Sequence, residues 1–416
     1  MHTEFSQQPF KADPYNNPNP LNTQQKIGAF FTGIWLLYIL LAPLYIFPKG
    51  MPQPADYIVL MAGFPAILFA FIQFRGRIKY AIVFGLLFAT LTMVINLVHY
   101  FHLPNDRFLR HSIYYVFNFA MFIFTLLVFR QAPYQMNRIA YYAVAATVFF
   151  QAFYAPFFGD IDVFRNTGSF NNANQLAYWC VLSMAIIVIL KRGERFTLLD
   201  FTLFGALVFL QTLSLSKAGI IITGLMILLI LCLKNMPRIA RIFAFFGIVI
   251  IILTQVLDPD QLEKNLNRFQ AFTAVTERLQ NIGAEQDDSL SGRGYDRLIR
   301  HPHYMIFGAG EGAFFRFGIG TQELHSGLAT VLFCYGITGS LVFMCFIGLV
   351  FYKQPWYFWA ILFLVFLFGI PHQNIRFTYF WVFLAIAYSH RLYFQPDQMV
   401  KYQQEFTIKT SNQSHA

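Results

Sequence analysis

An all-helical, polytopic membrane protein is the fold class this sequence predicts, and three observations predict it. Of 416 residues, 57% are hydrophobic and 19% aromatic while 12% are charged, which is too apolar for a soluble globule of this length. Apolar runs long enough to cross a hydrocarbon core about 30 Å thick, which takes about 20 helical residues, recur from end to end. Lysines and arginines gather in the short stretches between those runs. The net charge of +10 therefore reads as membrane orientation rather than a nucleic-acid surface, and membrane lipids, not nucleic acid, are the expected surroundings.

The apolar pattern predicts twelve spans, at 27–47, 56–73, 80–99, 112–129, 139–155, 174–190, 197–215, 218–233, 239–257, 326–351, 356–370 and 375–391. Nine fall within 27–257 and three within 326–391, with a long loop over 258–325 between them. The flanking segments 1–26 and 392–416 are polar, with Asn, Gln and Pro prominent in the first, and read as cytoplasmic tails; the first lacks the pattern of a signal peptide. Under this register Arg75, Arg77, Lys79, Arg130, Arg138, Lys191, Arg192, Arg195, Lys234, Arg238, Arg241 and Lys353 share one set of loops. The positive-inside rule places that set and both tails in the cytoplasm, and the long loop on the opposite face.

Within the long loop, Leu262, Leu266, Phe269, Phe272 and Val275 recur at three- and four-residue steps, the pattern of an amphipathic helix on the membrane surface. The following stretch, "SGRGYDRLIRHPHYMIFGAGEGAFFRFGIGTQELHSG", is rich in Gly, Arg and aromatics and is expected to be ordered and functional. Cys180, Cys232, Cys334 and Cys345 all lie inside apolar runs without metal-ligand spacing, so neither disulfides nor zinc are expected. Asp160 and Asp162 form a DxD-like pair without further acidic ligands, and no nucleotide-binding or hydrolase-elbow motif occurs. Neither a metal nor a cofactor is expected, which leaves a preactivated donor as the energy source.

The residues that could carry chemistry lie near the long-loop face. His325 stands where the loop re-enters the membrane, either as an interfacial histidine bonded to the loop or as a proton acceptor for a sugar hydroxyl. Arg293, between glycines, is a solvated loop arginine or a forked phosphate ligand. Arg297 and Arg300 could form one basic face of a short helix, whereas His301 and His303 read as structural. Lys217, in "SLSKAG", is a snorkelling lysine or part of an anion site at a helix start. Arg165 opens "RNTGSFNNANQLAYW", where Asn171, Asn172 and Asn174 either cap the next helix or meet sugar hydroxyls. His372 and Arg376, in "GIPHQNIRF", would add polar groups to the same cavity. Gly336 and Gly339 share a helix face and would let a neighbouring helix pack closely.

Taken in order, "RNTGSFNNANQLA", "SLSKAG", "SGRGYDRLIRHPHYMIFGAGEGAF" and "HSGLATVLFCYGITG" resemble motifs of the bacterial O-antigen ligase and polymerase superfamily over roughly 165–349. The last fits H[NSQ], nine residues, GxxG. The sequence departs from the family at Lys217, where many relatives have arginine, and after Arg293, where "GYDRL" lacks the usual tryptophan. The resemblance implies a GT-C-type, metal-independent glycosyltransferase in the bacterial inner membrane with its active site facing the periplasm. It implies a donor glycan on undecaprenyl diphosphate and an acceptor hydroxyl on the lipid A core, as in a ligase, or on a second lipid-linked repeat unit, as in a polymerase. Protein oligosaccharyltransferase and transport of lipid-linked glycans are more distant readings. Carried over, His325 would activate the acceptor, Arg293 and Lys217 would hold the leaving diphosphate, and Arg165 would be a further donor contact.

Overall fold

The computed structural model describes residues 23–48, 50–62, 78–162, 165–192, 194–238, 292–318 and 323–394. They form α1 (Thr23–Leu41), α2 (Pro54–Ala62), α3 (Ile78–His102), α4 (Asp106–Gln131), α5 (Pro133–Phe158), α6 (Ala173–Leu190), α7 (Leu198–Ser214) and α8 (Lys217–Cys232). After the long loop begins come α9 (Asp296–Arg300), α10 (Tyr304–Phe307) and a 3-10 turn (Phe314–Phe317), then α11 (Gly327–Phe351), α12 (Trp356–Phe368) and α13 (Thr378–Tyr393). Between α5 and α6 a small antiparallel hairpin, which the sequence did not lead us to expect, pairs β1 (Ile161–Asp162) with β2 (Arg165–Asn166).

This is an all-α membrane protein. Five helices, Tyr80–His102, Asp106–Gln131, Pro133–Phe158, Ala173–Leu190 and Gly327–Phe351, are long and apolar enough to cross a bilayer, and Gly28–Leu41, Leu198–Ser214, Lys217–Cys232 and Trp356–Phe368 are shorter apolar helices. Helices occupy eleven of the twelve predicted segments, α2 only the first part of its own. The predicted span 239–257, the remainder of 56–73, the amphipathic stretch 262–275, and the tails before 23 and after 394 lie outside the described residues.

Local chemistry sets the helix starts. α4 begins at Asp106, six residues before the apolar run, because the Asn105 side chain accepts the Arg107 N–H at 3.2 Å and carries the helix through a polar turn. α5 opens on Pro133, where a missing N–H costs nothing. At the head of α7 the Asp200 carboxylate accepts the Thr197 backbone N–H at 2.6 Å and its hydroxyl at 2.7 Å. The same carboxylate receives the Tyr141 hydroxyl at 2.6 Å and pairs with Lys191 at 3.4 Å, so a charge with no exposure is fully partnered.

The interior is built on α6 and α13. Every residue of α6 from Leu176 to Leu190 and every residue of α13 from Tyr379 to His390 is buried. α6 packs on α5, α7, α8, α12 and α13, and α13 packs on α4, α6 and α11. Lipid tails are as apolar as these side chains, so close packing and internal hydrogen bonds, such as Trp35 Nε1 to Thr125 Oγ1 at 3.0 Å, hold the bundle.

Cross-links between turns define two ends. At one, Asn137 Nδ2 donates to Leu190 O at 2.9 Å, His390 Nε2 lies 2.8 Å from Asn137 Oδ1, and Arg192 reaches His390 O. At the other, here termed the loop end, Tyr45 N–H donates to Ser169 O at 2.9 Å and the 292–318 segment packs over α3, α4 and α11. A groove of about 570 Å³ lined by Leu36, Leu40, Gln135, Arg138 and Tyr142 opens beside the first turns of α5; none of these residues belongs to the loop end.

Candidate functional site

Helix length shapes the loop end. At 1.5 Å per residue, the 26 residues of α4 extend about 39 Å, whereas the 13 of α12 extend only about 20 Å. Asn118 Nδ2 donates to Arg376 O at 2.9 Å, so the α12–α13 turn meets α4 about 18 Å along from its first residue. That turn, set below the head of α4, is here termed the floor of the loop end.

The floor is made of backbone carbonyls that the heads of other segments use. Gly369 O accepts the Gly327 N–H at 2.9 Å and the Ser326 hydroxyl at 3.2 Å, His372 O also accepts from Gly327 at 3.1 Å, and Ile370 O accepts the Tyr295 hydroxyl at 2.6 Å. Arg293 Nη1 donates to Pro371 O. His325 is exposed at the head of α11, and its backbone N–H donates to Arg293 O at 3.0 Å. Ser326 is the N-cap, its hydroxyl accepting from Ala329 N–H at 3.4 Å. His325, Arg293 and His372 therefore meet around one turn, with the His372 ring 4.9 Å from that of Phe368.

A second group assembles at the heads of α6 and α8. Arg165 Nε donates to Ser214 O at 3.1 Å and its Nη2 to Asn174 Oδ1 at 2.6 Å, tying the hairpin to the end of α7 and the head of α6. The α7–α8 turn is tight, with Leu215 left-handed at φ 47°, and Ser216 caps α8 by accepting from Gly219 N–H at 3.4 Å. A Cβ on Gly219 would fall 1.9 Å from Gln211 Nε2 and 3.0 Å from Ala177 Cβ, so this glycine lets α6, α7 and α8 close on one another. Lys217, the first residue of α8, is thereby carried to the same end as Arg165 and Asn174. One turn beyond Asn174, the Tyr178 ring stacks on Phe368 at 4.8 Å, and Phe368 in turn touches His372. The two groups are thus linked through packed aromatic rings. Asn171 donates to Phe47 O at 3.2 Å, and Asn172 caps α6 by accepting the Gln175 N–H at 2.9 Å.

Two sequence expectations need correction. Arg297 and Arg300 do not share a basic face: Arg297 is buried, its guanidinium within 6 Å of the Phe314 and Phe317 ring centres, while Arg300 is exposed and pairs with Asp296 at 3.6 Å. A five-residue helix wedged under the 3-10 turn turns one arginine inward and leaves the other in solvent. Burial lowers the pKa of the Arg297 guanidinium, opposed by the Asp296 carboxylate. Nor do Gly336 and Gly339 form a smooth helix-packing face. α11 is broken at Gly336, at φ 69° and ψ −176°, where a Cβ would lie 2.4 Å from Ile306 O. The C-terminal end of α10 fills the break: Ala309 N–H donates to Phe333 O at 2.9 Å and Gly310 N–H to Cys334 O at 2.8 Å, taking carbonyls the interrupted helix leaves open.

Arg376 also departs from its expected place among cavity-lining groups. It is the centre of a buried ionic cluster that sequence reading missed, its Nη2 on Glu323 and its Nε 3.4 Å from Glu311 Oε1. Glu311, 1% exposed, also accepts the Tyr335 hydroxyl at 2.6 Å and Gln373 Nε2 at 3.2 Å, and its backbone N–H donates to Asn96 Oδ1 at 2.7 Å. His111 Nδ1 lies 2.7 Å from Glu311 O and its Nε2 3.7 Å from Glu323. Burial alone would raise the Glu323 carboxyl, but Arg376 and His111 outweigh it and hold the group down at about 2. The available signals were Asn96 inside an apolar run, His111 at the edge of one, and Glu311 between glycines in "GAGEGAF".

No protein-family model matches the chain, and comparison with curated proteins returns no significant match. Among the described residues, no group of three or more His, Cys, Asp or Glu side chains is arranged to hold a metal ion.

Proposed function

We propose that this protein is a polyprenyl-diphosphate-dependent glycosyltransferase of the O-antigen ligase type. In this reading it crosses the bacterial inner membrane twelve times in a GT-C-type arrangement, with the loop end facing the periplasm. It moves a glycan from undecaprenyl diphosphate to a sugar hydroxyl of the lipid A core. The observation that carries the reading is an exposed imidazole, His325, bonded through its backbone to Arg293 at the α12–α13 turn, with Arg165 and Lys217 at the heads of α6 and α8 joined to that turn through the Tyr178, Phe368 and His372 rings. The motif resemblance supports the same roles.

The chemistry follows from the charges. Departure of the diphosphate develops negative charge, and cations held in place beforehand, as Arg293 is by Pro371 O and Arg165 by Ser214 O, stabilise it without reorganising. Arg293 and Lys217 serve the leaving group, with Arg165 beside them, while the neutral imidazole of His325 takes the proton from the attacking hydroxyl. Attack opposite the leaving group inverts the anomeric centre; a product of unchanged anomeric configuration would sink that step.

The test is transfer from an undecaprenyl-diphosphate-linked glycan to lipid A core by the purified protein in liposomes. Wild type should transfer and His325→Ala should not, at equal expression and folding. Product only on a second lipid-linked repeat unit would make the protein a polymerase. Glycan translocation in sealed vesicles that survives His325→Ala would replace catalysis by transport, a reading favoured by the broken α11 and the buried ionic cluster beside it.

A further inference from the structure

We infer that Arg376 is a positioning residue, holding His325 in place through Glu323 and not through contact with substrate. The inference rests on the transferase reading for what His325 does there, but the latch itself is read from geometry. Two of the three guanidinium nitrogens of Arg376 are engaged by carboxylates of its own chain, Nη2 by Glu323 and Nε by Glu311 at 3.4 Å. Its backbone carbonyl is bound by Asn118 from α4 at 2.9 Å. The arginine is thus anchored to the bundle before it grips the loop.

What it grips leads directly to the imidazole. Glu323 stands two residues before His325, and each residue from Leu324 to Ser326 has its own attachment. Leu324 is buried with its carbonyl 3.3 Å from Thr330 Oγ1, the His325 N–H is bound to Arg293 O, and the Ser326 hydroxyl is bound to Gly369 O. Arg376 and Gly369 belong to the same α12–α13 turn, so the segment that carries His325 is fixed to that turn at two points. Glu311 fixes the other side of the guanidinium and is itself tied to α3 through Asn96 and to α11 through Tyr335. Removing Glu323 leaves the Arg376–Glu311 pair and the bond of His111 to Glu311 O intact, takes a second contact from His111 Nε2, and loosens the segment that delivers the histidine. Glu323 is also the outermost member, its side chain 33% exposed against 1% for Glu311, so its loss leaves no buried charge stranded.

The test compares wild type with Glu323→Gln, Arg376→Lys and the double variant. Two readouts are taken: steady-state transfer from undecaprenyl-diphosphate-linked glycan, and the rate at which diethyl pyrocarbonate modifies His325, followed by mass spectrometry on protein in liposomes. Positioning predicts that Glu323→Gln lowers kcat by about 100-fold, the cost of an ångström of misplacement, with donor KM changed less than about twofold. Lysine lacks the fork that spans two carboxylates, so Arg376→Lys should do the same, and the double variant should be no worse than the worse single one. In both single variants the modification rate at His325 should change severalfold. A raised donor KM at constant kcat would make Arg376 a donor contact and overturn the inference, as would multiplicative losses in the double variant. Should wild type transfer nothing, the transferase reading falls, and the modification rate alone decides the latch: unchanged in Glu323→Gln, it refutes it.

Discussion

At the scale of single residues, the loop end shows how a charged side chain is given both a structural and a chemical task. Arg293 ties its segment to the α12–α13 turn through Pro371 O and offers its backbone carbonyl to His325. Its replacement therefore tests two things at once. Arg293→Ala should lower transfer by about 100- to 1,000-fold, the usual cost of one preorganised charge donor, and Arg293→Lys should recover little because an ammonium cannot form the fork. Initial rates at saturating donor measure this; near-wild-type rates in the lysine variant would reduce Arg293 to a simple point charge. Arg293, Lys217 and His325 were visible as residues, because ionisable groups at a membrane boundary stand out. Glu311, Glu323 and His111 were not singled out, because a carboxylate's meaning depends on a partner that may be far away in sequence, as Arg376 is from Glu311.

At the scale of elements, α11 carries the main departure from expectation. A run of 25 apolar residues predicts a continuous helix, yet Gly336 adopts a backbone conformation that only glycine tolerates, and the end of α10 enters the gap. Gly336→Ala should therefore destabilise the fold by about 1–3 kcal/mol from backbone strain alone, more where the clash with Ile306 O cannot relax. Thermal unfolding in detergent measures it, and a midpoint equal to wild type would mean that α11 runs straight. The glycine was legible in sequence, but its role was not, since a helix-packing glycine and a helix-breaking glycine have the same local signature. By contrast the helix start expected at Lys217 is where α8 begins, and Ser216 caps it by accepting the Gly219 N–H.

At the scale of the whole molecule, the described part of the long loop is held to the bundle in part by the Arg376 cluster, and acid should loosen it. The Glu323 carboxyl is depressed from an ordinary value near 4.5 to about 2, so its contribution to stability is fully present above about pH 4.5 and is lost as the pH falls toward 2. The thermal midpoint of wild type should fall over that window more steeply than that of Glu323→Gln; parallel curves would show that the pair adds nothing. Orientation is checked by a cysteine placed at position 300, an exposed site on the loop, which an impermeant maleimide should label from the periplasmic side in intact cells. Labelling only after the inner membrane is opened would invert the proposed topology. By itself the sequence determined that the chain is an apolar helical bundle and approximately where eleven of its described helices lie, because a bilayer demands backbone satisfaction within each segment and long apolar runs allow few other solutions. Only the tertiary structure decided which polar groups meet: that α12 stops short and makes a floor, that Arg376 faces inward to Glu311 and Glu323, and that the break in α11 admits α10. Those outcomes turn on contacts between residues tens to hundreds of positions apart, which periodicity along one chain does not encode.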